Sequence, residues 1–246
     1  MDALAVLGFA TLTAAATGLG ALPFLLVRRP ARSWLGLSNA VAAGLMLGAS
    51  FRLFEEGAAY GLWRVVLGVL LGLAFIAASQ SLLEGRNRVA LQMGRLRGAD
   101  AVKGLLIVGV MTLHSVTEGV GVGVAFGGGM ELGLFITIAI AVHNIPEGLA
   151  ISLVLVPRGE PAWRAAWWSV FSSLPQPLLA VPAFLFVEAF RPFLPVGLGF
   201  AGGAMVWMVF AELLPDALED TSKRSVAAAV TLAVAAMFAF QVLLRG

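Results

Sequence analysis

The chain contains two histidines, and each opens the same pattern: His114 stands four residues before Glu118, His143 stands four residues before Glu147, and a glycine follows each glutamate. On a helix, residues i and i+4 share a face, so each pair presents an imidazole and a carboxylate together. Two such helices facing one another deliver two ring nitrogens and two carboxylates to one point, a donor set suited to zinc and other first-row divalent ions. A single pair of this kind reads more simply as a polar contact between helices. Two copies that use every histidine in the chain favour the metal. Such ligands bind in their deprotonated forms, so acid is expected to weaken binding.

The flanking residues refine the expectation. Ser115 and Asn144 lie one residue round from the histidines and offer oxygen atoms to a second ion, to water, or to a neighbouring helix. Pro146 has no N–H, which frees the Val142 carbonyl from its helical bond. Thr117 holds the equivalent place and is expected to bond back to the Leu113 carbonyl. Gly119 and Gly148 permit close backbone approach.

These residues must be held by elements that tolerate an apolar solvent. Of 246 residues, 60% are hydrophobic and 12% charged, and the mean hydropathy is +0.95. A soluble domain has about a quarter of its residues charged, so this chain could not cover its surface with polar groups. Apolar runs of roughly 20 residues recur, each long enough to cross ~30 Å of hydrocarbon. The pattern predicts an all-α membrane protein of about eight transmembrane helices, at roughly 3–27, 34–58, 61–84, 103–126, 131–156, 163–188, 194–215 and 224–244, in a single transporter domain spanning 1–246. An ionised carboxylate inside such a bundle is costly without a partner, and a bound cation would offset both Glu118 and Glu147. The absence of cysteine excludes disulfides and thiolate metal sites. The few charges argue against nucleic acid as a partner. The first apolar run lacks the basic region and cleavage site of a signal peptide and is expected to persist as a helix.

Lysine and arginine in the short loops set the orientation. With the N-terminus outside, the inner loops hold Arg28, Arg29, Arg32, Arg86, Arg88, Arg95, Arg97, Lys103, Arg158, Arg164, Lys223 and Arg224, and the outer side only Arg64, Arg191 and Arg245. Two internal repeats accompany this topology. HSVTEG matches HNIPEG, and AAGLMLGASFRL at 42–53 resembles AGGAMVWMVFAE at 201–212. Within each pair the helices cross in opposite directions, as inverted repeats of transporters do, with the site at their interface near the midplane.

At these motifs the chain resembles the ZIP (Zrt/Irt-like) family of divalent metal transporters, and most closely its prokaryotic GufA-like branch. HNIPEG is similar to that family's fifth-helix signature and HSVTEG to its fourth-helix motif. ATGLGALPFLL (16–26), AAGLMLGASF, SSLPQPLLA and GFAGGAMVWMVFAELLPDA resemble the first, second, sixth and seventh helices. The resemblance implies eight helices in a 3+2+3 arrangement with both termini outside. It also implies His114, Glu118, His143 and Glu147 as core metal ligands, a second adjacent position at Ser115 and Asn144, and Met46 as a thioether ligand. Three departures stand out: Ser115 replaces the usual Asn, Thr117 the usual Pro, and Gln176, between Pro175 and Pro177, the usual Glu. The lost negative charge at Gln176 points to one well-formed metal position. The histidine-rich loop between helices three and four is missing from 85–102. Arg52 is unusual for the second helix; it is placed to pair with Glu55 or Glu56, or to set a barrier to cations near the outer mouth. Glu212 falls in the inner half of the seventh helix, on the expected release path.

The function expected is uptake of a divalent metal toward the cytoplasm across the inner membrane of a prokaryote, with Zn2+ as the substrate and Fe, Mn, Cd and Co open to the same donor set. The lipid bilayer and a second copy, in a homodimer through glycine-rich faces, complete the expected partners. An intramembrane metal hydrolase needs an open coordination position and commonly HExxH on a helix, and neither histidine here is followed by Glu. A metal-binding receptor without transport is the other alternative, and metal binding without flux is its signature.

Overall fold

Asp2 accepts a hydrogen bond from the Ala5 amide at 2.9 Å and so caps the first helix; proline and glycine mark most of the later boundaries. A computed structural model describes residues 2–26, 31–84, 92–93, 96–97 and 99–245. Its helices are α1 (Ala3–Gly18), α2 (Pro23–Leu26), α3 (Arg32–Glu84), α4 (Ala99–Gly128), α5 (Met130–Leu155), α6 (Ala162–Ser172), α7 (Pro175–Ala189), α8 (Leu194–Met208), α9 (Leu214–Asp220) and α10 (Lys223–Arg245). A π-helical turn, Val209–Leu213, joins α8 to α9. The fold is all-α as expected, except for a short antiparallel ribbon, β1 (Gln92–Met93) with β2 (Leu96–Arg97), where a plain loop is expected. The inner-loop residues Arg28, Arg29, Pro30, Arg86, Arg88 and Arg95 lie outside the described residues.

Among the described residues, seven helical stretches are long and apolar enough to cross a membrane. The difference from eight comes from Arg32–Ser79, which counts as one stretch of 48 residues. A straight helix of that length would run about 70 Å, more than twice the hydrocarbon thickness. It breaks at Gly61, whose φ of 150° only glycine adopts readily. A Cβ placed on Gly57 would sit 2.7 Å from Val65 Cγ2. Eight residues of straight helix separate such atoms by about 12 Å, so α3 folds back into two arms, 32–60 and 62–84. The sixth expected segment is likewise split, into α6 and α7, by Pro175. The seventh runs through α8, the π-turn and α9.

The helices sort into two groups by packing. Both arms of α3 lie against α8, and α3 also packs on α9 and α10. The repeat segments 42–53 and 201–212 therefore pack within one group. α1 and α4 pack on each other and each on α5 and α7, with α6 against α1 and α5. The seam between the groups is closed by α3 on α5 and by α8 on α4. Large apolar side chains face outward on the bundle, among them Trp63 at 80%, Leu232 at 71% and Phe238 at 67% exposure. The buried interior holds histidine, glutamate, asparagine and glutamine. Apolar outside and polar inside is the pattern of a protein solvated by lipid.

Candidate metal centre

α4 and α5 run side by side because the chain turns sharply at Gly129, with φ of 141°. This brings Glu118 of α4 against His143 and Glu147 of α5. The three ligand atoms they offer lie within 4.8 Å of one another, and all three residues are buried. His143 Nε2 stands 2.8 Å from Glu118 Oε1, and His143 Nδ1 has no partner. Two carboxylates at that separation, with almost no solvent access, repel strongly unless a cation or a proton stands between them. The group has the chemistry of a divalent cation site: one imidazole nitrogen and two carboxylate oxygens, buried where the low dielectric strengthens each interaction.

A neutral hydrogen-bonded network braces one side of the cluster. The Gln176 side chain, fully buried at the start of α7, donates from Nε2 to Glu118 Oε2 at 2.7 Å. Its oxygen accepts from Thr13 Oγ1 at 2.6 Å and from Asn144 Nδ2 at 3.2 Å. With its oxygen held by two donors, the amide can only turn its N–H toward Glu118. Asn144 Nδ2 also donates to the Thr13 carbonyl at 2.8 Å. The glycine after each glutamate makes these approaches feasible. A Cβ on Gly119 would lie 2.7 Å from the Gln176 carbonyl oxygen, and one on Gly148 would overlap the Thr17 carbonyl oxygen.

The structure divides the residues expected at the site. Glu118, His143 and Glu147 converge. His114 is buried beside them on α4, but its Nε2 faces Glu212 at 3.2 Å across the seam. Asn144 and Ser115 are buried, and Asn144 Oδ1 and Ser115 Oγ have no hydrogen-bond partner. Met46 is fully buried in the main apolar cluster. Thr117 bonds back to the His114 carbonyl at 2.7 Å rather than to that of Leu113, because its rotamer reaches i−3 instead of i−4. Pro146 and Val142 line an apolar groove with Trp34, Leu37 and Leu149, so the turn opened by Pro146 borders that groove. Arg52 makes both expected pairs, at 2.8 Å to Glu56 and 3.7 Å to Glu55.

Sequence reasoning missed Thr13, although Thr13 and Thr17 stand four apart in an apolar helix and so mark a polar face. It also missed Glu131, whose partner is distant in sequence.

Residues 90–241 match the family described as ZIP Zinc transporter. The chain is 52% identical over 239 residues to a putative zinc transporter of Arabidopsis thaliana, covering 96% of this chain and 38% of that protein. It is 35% identical over 221 residues to the zinc transporter GufA of Myxococcus xanthus, covering 83% of this chain and 85% of that one. It is 35% identical over 119 residues to human zinc transporter ZIP11, covering 46% of this chain and 35% of that one. The chain thus spans well under half the length of the first and third relatives and most of the length of the second.

Proposed function

This chain belongs to the ZIP zinc transporter family, and from that premise we propose that it carries divalent metal ions, zinc foremost, toward the cytoplasm through the Glu118–His143–Glu147 cluster. The supporting observation is that cluster itself: three ligand groups, contributed by two neighbouring helices of an apolar-surfaced bundle and buried where bare carboxylates would be costly. An arriving ion exchanges most of its water for these donors, and its charge offsets theirs. On the release side the ion meets His114 and Glu212, the polar pair that spans the seam between helix groups. Fe, Mn, Cd and Co fit the same nitrogen and oxygen donors. The role is transport and not chemical turnover. The setting is the inner membrane of a prokaryotic cell, N-out and C-out, with the bilayer as solvent and a second copy as partner in a homodimer.

The test is zinc influx into proteoliposomes holding a zinc-sensitive dye. The purified protein is expected to raise influx well above that of protein-free vesicles. Binding without influx assigns the receptor role instead and overturns transport.

The same reading predicts the number of ions. Gln176 places a neutral N–H, not a carboxylate, beside Glu118, so the site holds one ion. In Gln176→Glu a third carboxylate joins Glu118 and Glu147, and the unpartnered Asn144 Oδ1 and Ser115 Oγ become donors for a second ion. Elemental analysis after equilibration with zinc is expected to give one ion per chain for the parent and two for the variant. Two ions bound to the parent overturns the single-site reading.

A further inference from the structure

Arg52 is a buried charged residue that the proposed site leaves unexplained. Its side chain is only 6% exposed, in the 32–60 arm of α3, beside the fully buried Leu53 and one turn from the fully buried Ala49. A guanidinium at such a place needs partners, and its fork divides them between two helices. Nη1 meets Glu56 at 2.8 Å and Glu55 at 3.7 Å, both on its own arm. Nη2 reaches across to Glu131 Oε1, in the first turn of α5, at 3.5 Å. Gln241 of α10 in turn donates to Glu55 at 2.9 Å, which fixes the near side of the network to the α3 group. Arg52 therefore belongs to one helix group and Glu131 to the other.

The position of this bridge matters. Glu131 precedes His143 by 12 residues on α5, about 18 Å along the helix axis. It lies at the end of the bundle that the loop charges assign to the outside, whereas the His114–Glu212 pair crosses the seam toward the other end. The metal cluster between them has almost no solvent access. A path from outside along the α3–α5 part of the seam parts α5 from the 32–60 arm, and the bridge spans that parting line.

We propose that Arg52 and Glu131 form an outer latch: an ion pair across the seam between the two helix groups that holds the outer end of the bundle shut and must release for the cluster to be reached from that side. Both partners tolerate release. Arg52 keeps Glu56 when Glu131 leaves. Glu131 is 47% exposed on its side-chain surface and stands at a helix N-terminus, which favours a carboxylate. The pair thus closes the seam without fixing it permanently, as a half-exposed ion pair of modest strength should.

The chain has no cysteine, so one introduced thiol reports accessibility without background. Ala49→Cys places it one turn inward of Arg52. In proteoliposomes, a membrane-impermeant thiol reagent on the outer side is expected to label Ala49→Cys slowly. Adding Glu131→Gln is expected to raise the rate about threefold to fivefold, as loss of one such ion pair predicts. Adding Glu131→Asp, which keeps the charge, is expected to leave the rate within twofold of the Ala49→Cys rate. High salt is expected to speed labelling of Ala49→Cys alone and to leave the Glu131→Gln background unchanged, because only the former has an ion pair across the seam to screen; the Arg52–Glu56 pair lies within one arm in both. Equal rates with and without Glu131→Gln, from either side of the membrane, overturn the latch. The inference rests on the proposed orientation, and the two fail separately: acceleration seen only with reagent on the cytoplasmic side supports the latch and reverses the orientation.

Discussion

Replacing His143 and Glu147 together by alanine is expected to cut zinc influx about 100-fold or more, to the level of protein-free vesicles. The magnitude follows from the geometry. Three donors converge within 4.8 Å, and the double change removes two of them, including the nitrogen. Residues that merely orient metal ligands already cost 10- to 100-fold when lost, at about 1.4 kcal/mol per factor of ten, so losing two ligands sets a floor above that range. Glu118 would remain with its Gln176 and without any partner for an ion. His114→Ala in the same assay separates the cluster from its surroundings. His114 faces Glu212, so its loss is expected to slow influx without abolishing it. Influx equal to the parent in the double variant sinks the assignment of the cluster. A His114→Ala variant as dead as the double variant makes His114 a fourth member of the set.

That contrast also marks how far the sequence could be read. The i, i+4 spacing of His114 with Glu118 and of His143 with Glu147 is a local property, and all four residues are buried on α4 and α5. Which partner each imidazole meets is decided by helices far away in sequence. The approach of α7 places Gln176 on Glu118, and the π-turn at Val209–Leu213 carries Glu212 to His114. Neither has a local signature. The same division holds for the fold. Proline and glycine are local punctuation, and the return at Gly61 agrees with two expected helices meeting there. The sorting into two groups depends on which faces meet, and one arginine illustrates it. Its pairs with Glu55 and Glu56 were legible at i+3 and i+4, whereas its reach to Glu131, on another helix, was not.

Gly148→Ala is expected to lower the melting midpoint of the purified protein by about 6–12 °C and to weaken zinc binding with it. The methyl group would overlap the Thr17 carbonyl oxygen. A backbone atom in a helix cannot swing aside as a side chain can, so α1 must move off α5. The cost belongs at the upper end of the ~1–3 kcal/mol typical of overpacking, and ~3 kcal/mol corresponds to that shift in a chain of this size. The displacement also reaches the site. α1 supplies the Thr13 hydroxyl and carbonyl that hold Gln176 and Asn144, and Gln176 holds Glu118. Retreat of α1 therefore loosens the amide that orients a ligand, which ties the stability loss to the binding loss. Gly8→Ala is the matched control, because a Cβ there meets no atom within 4 Å. It adds the same methyl to the same kind of helix and is expected to leave both midpoint and binding unchanged. A Gly148→Ala variant as stable as Gly8→Ala, with zinc bound as tightly as by the parent, would show that the close approach of α1 to α5 is not what holds the metal cluster in place.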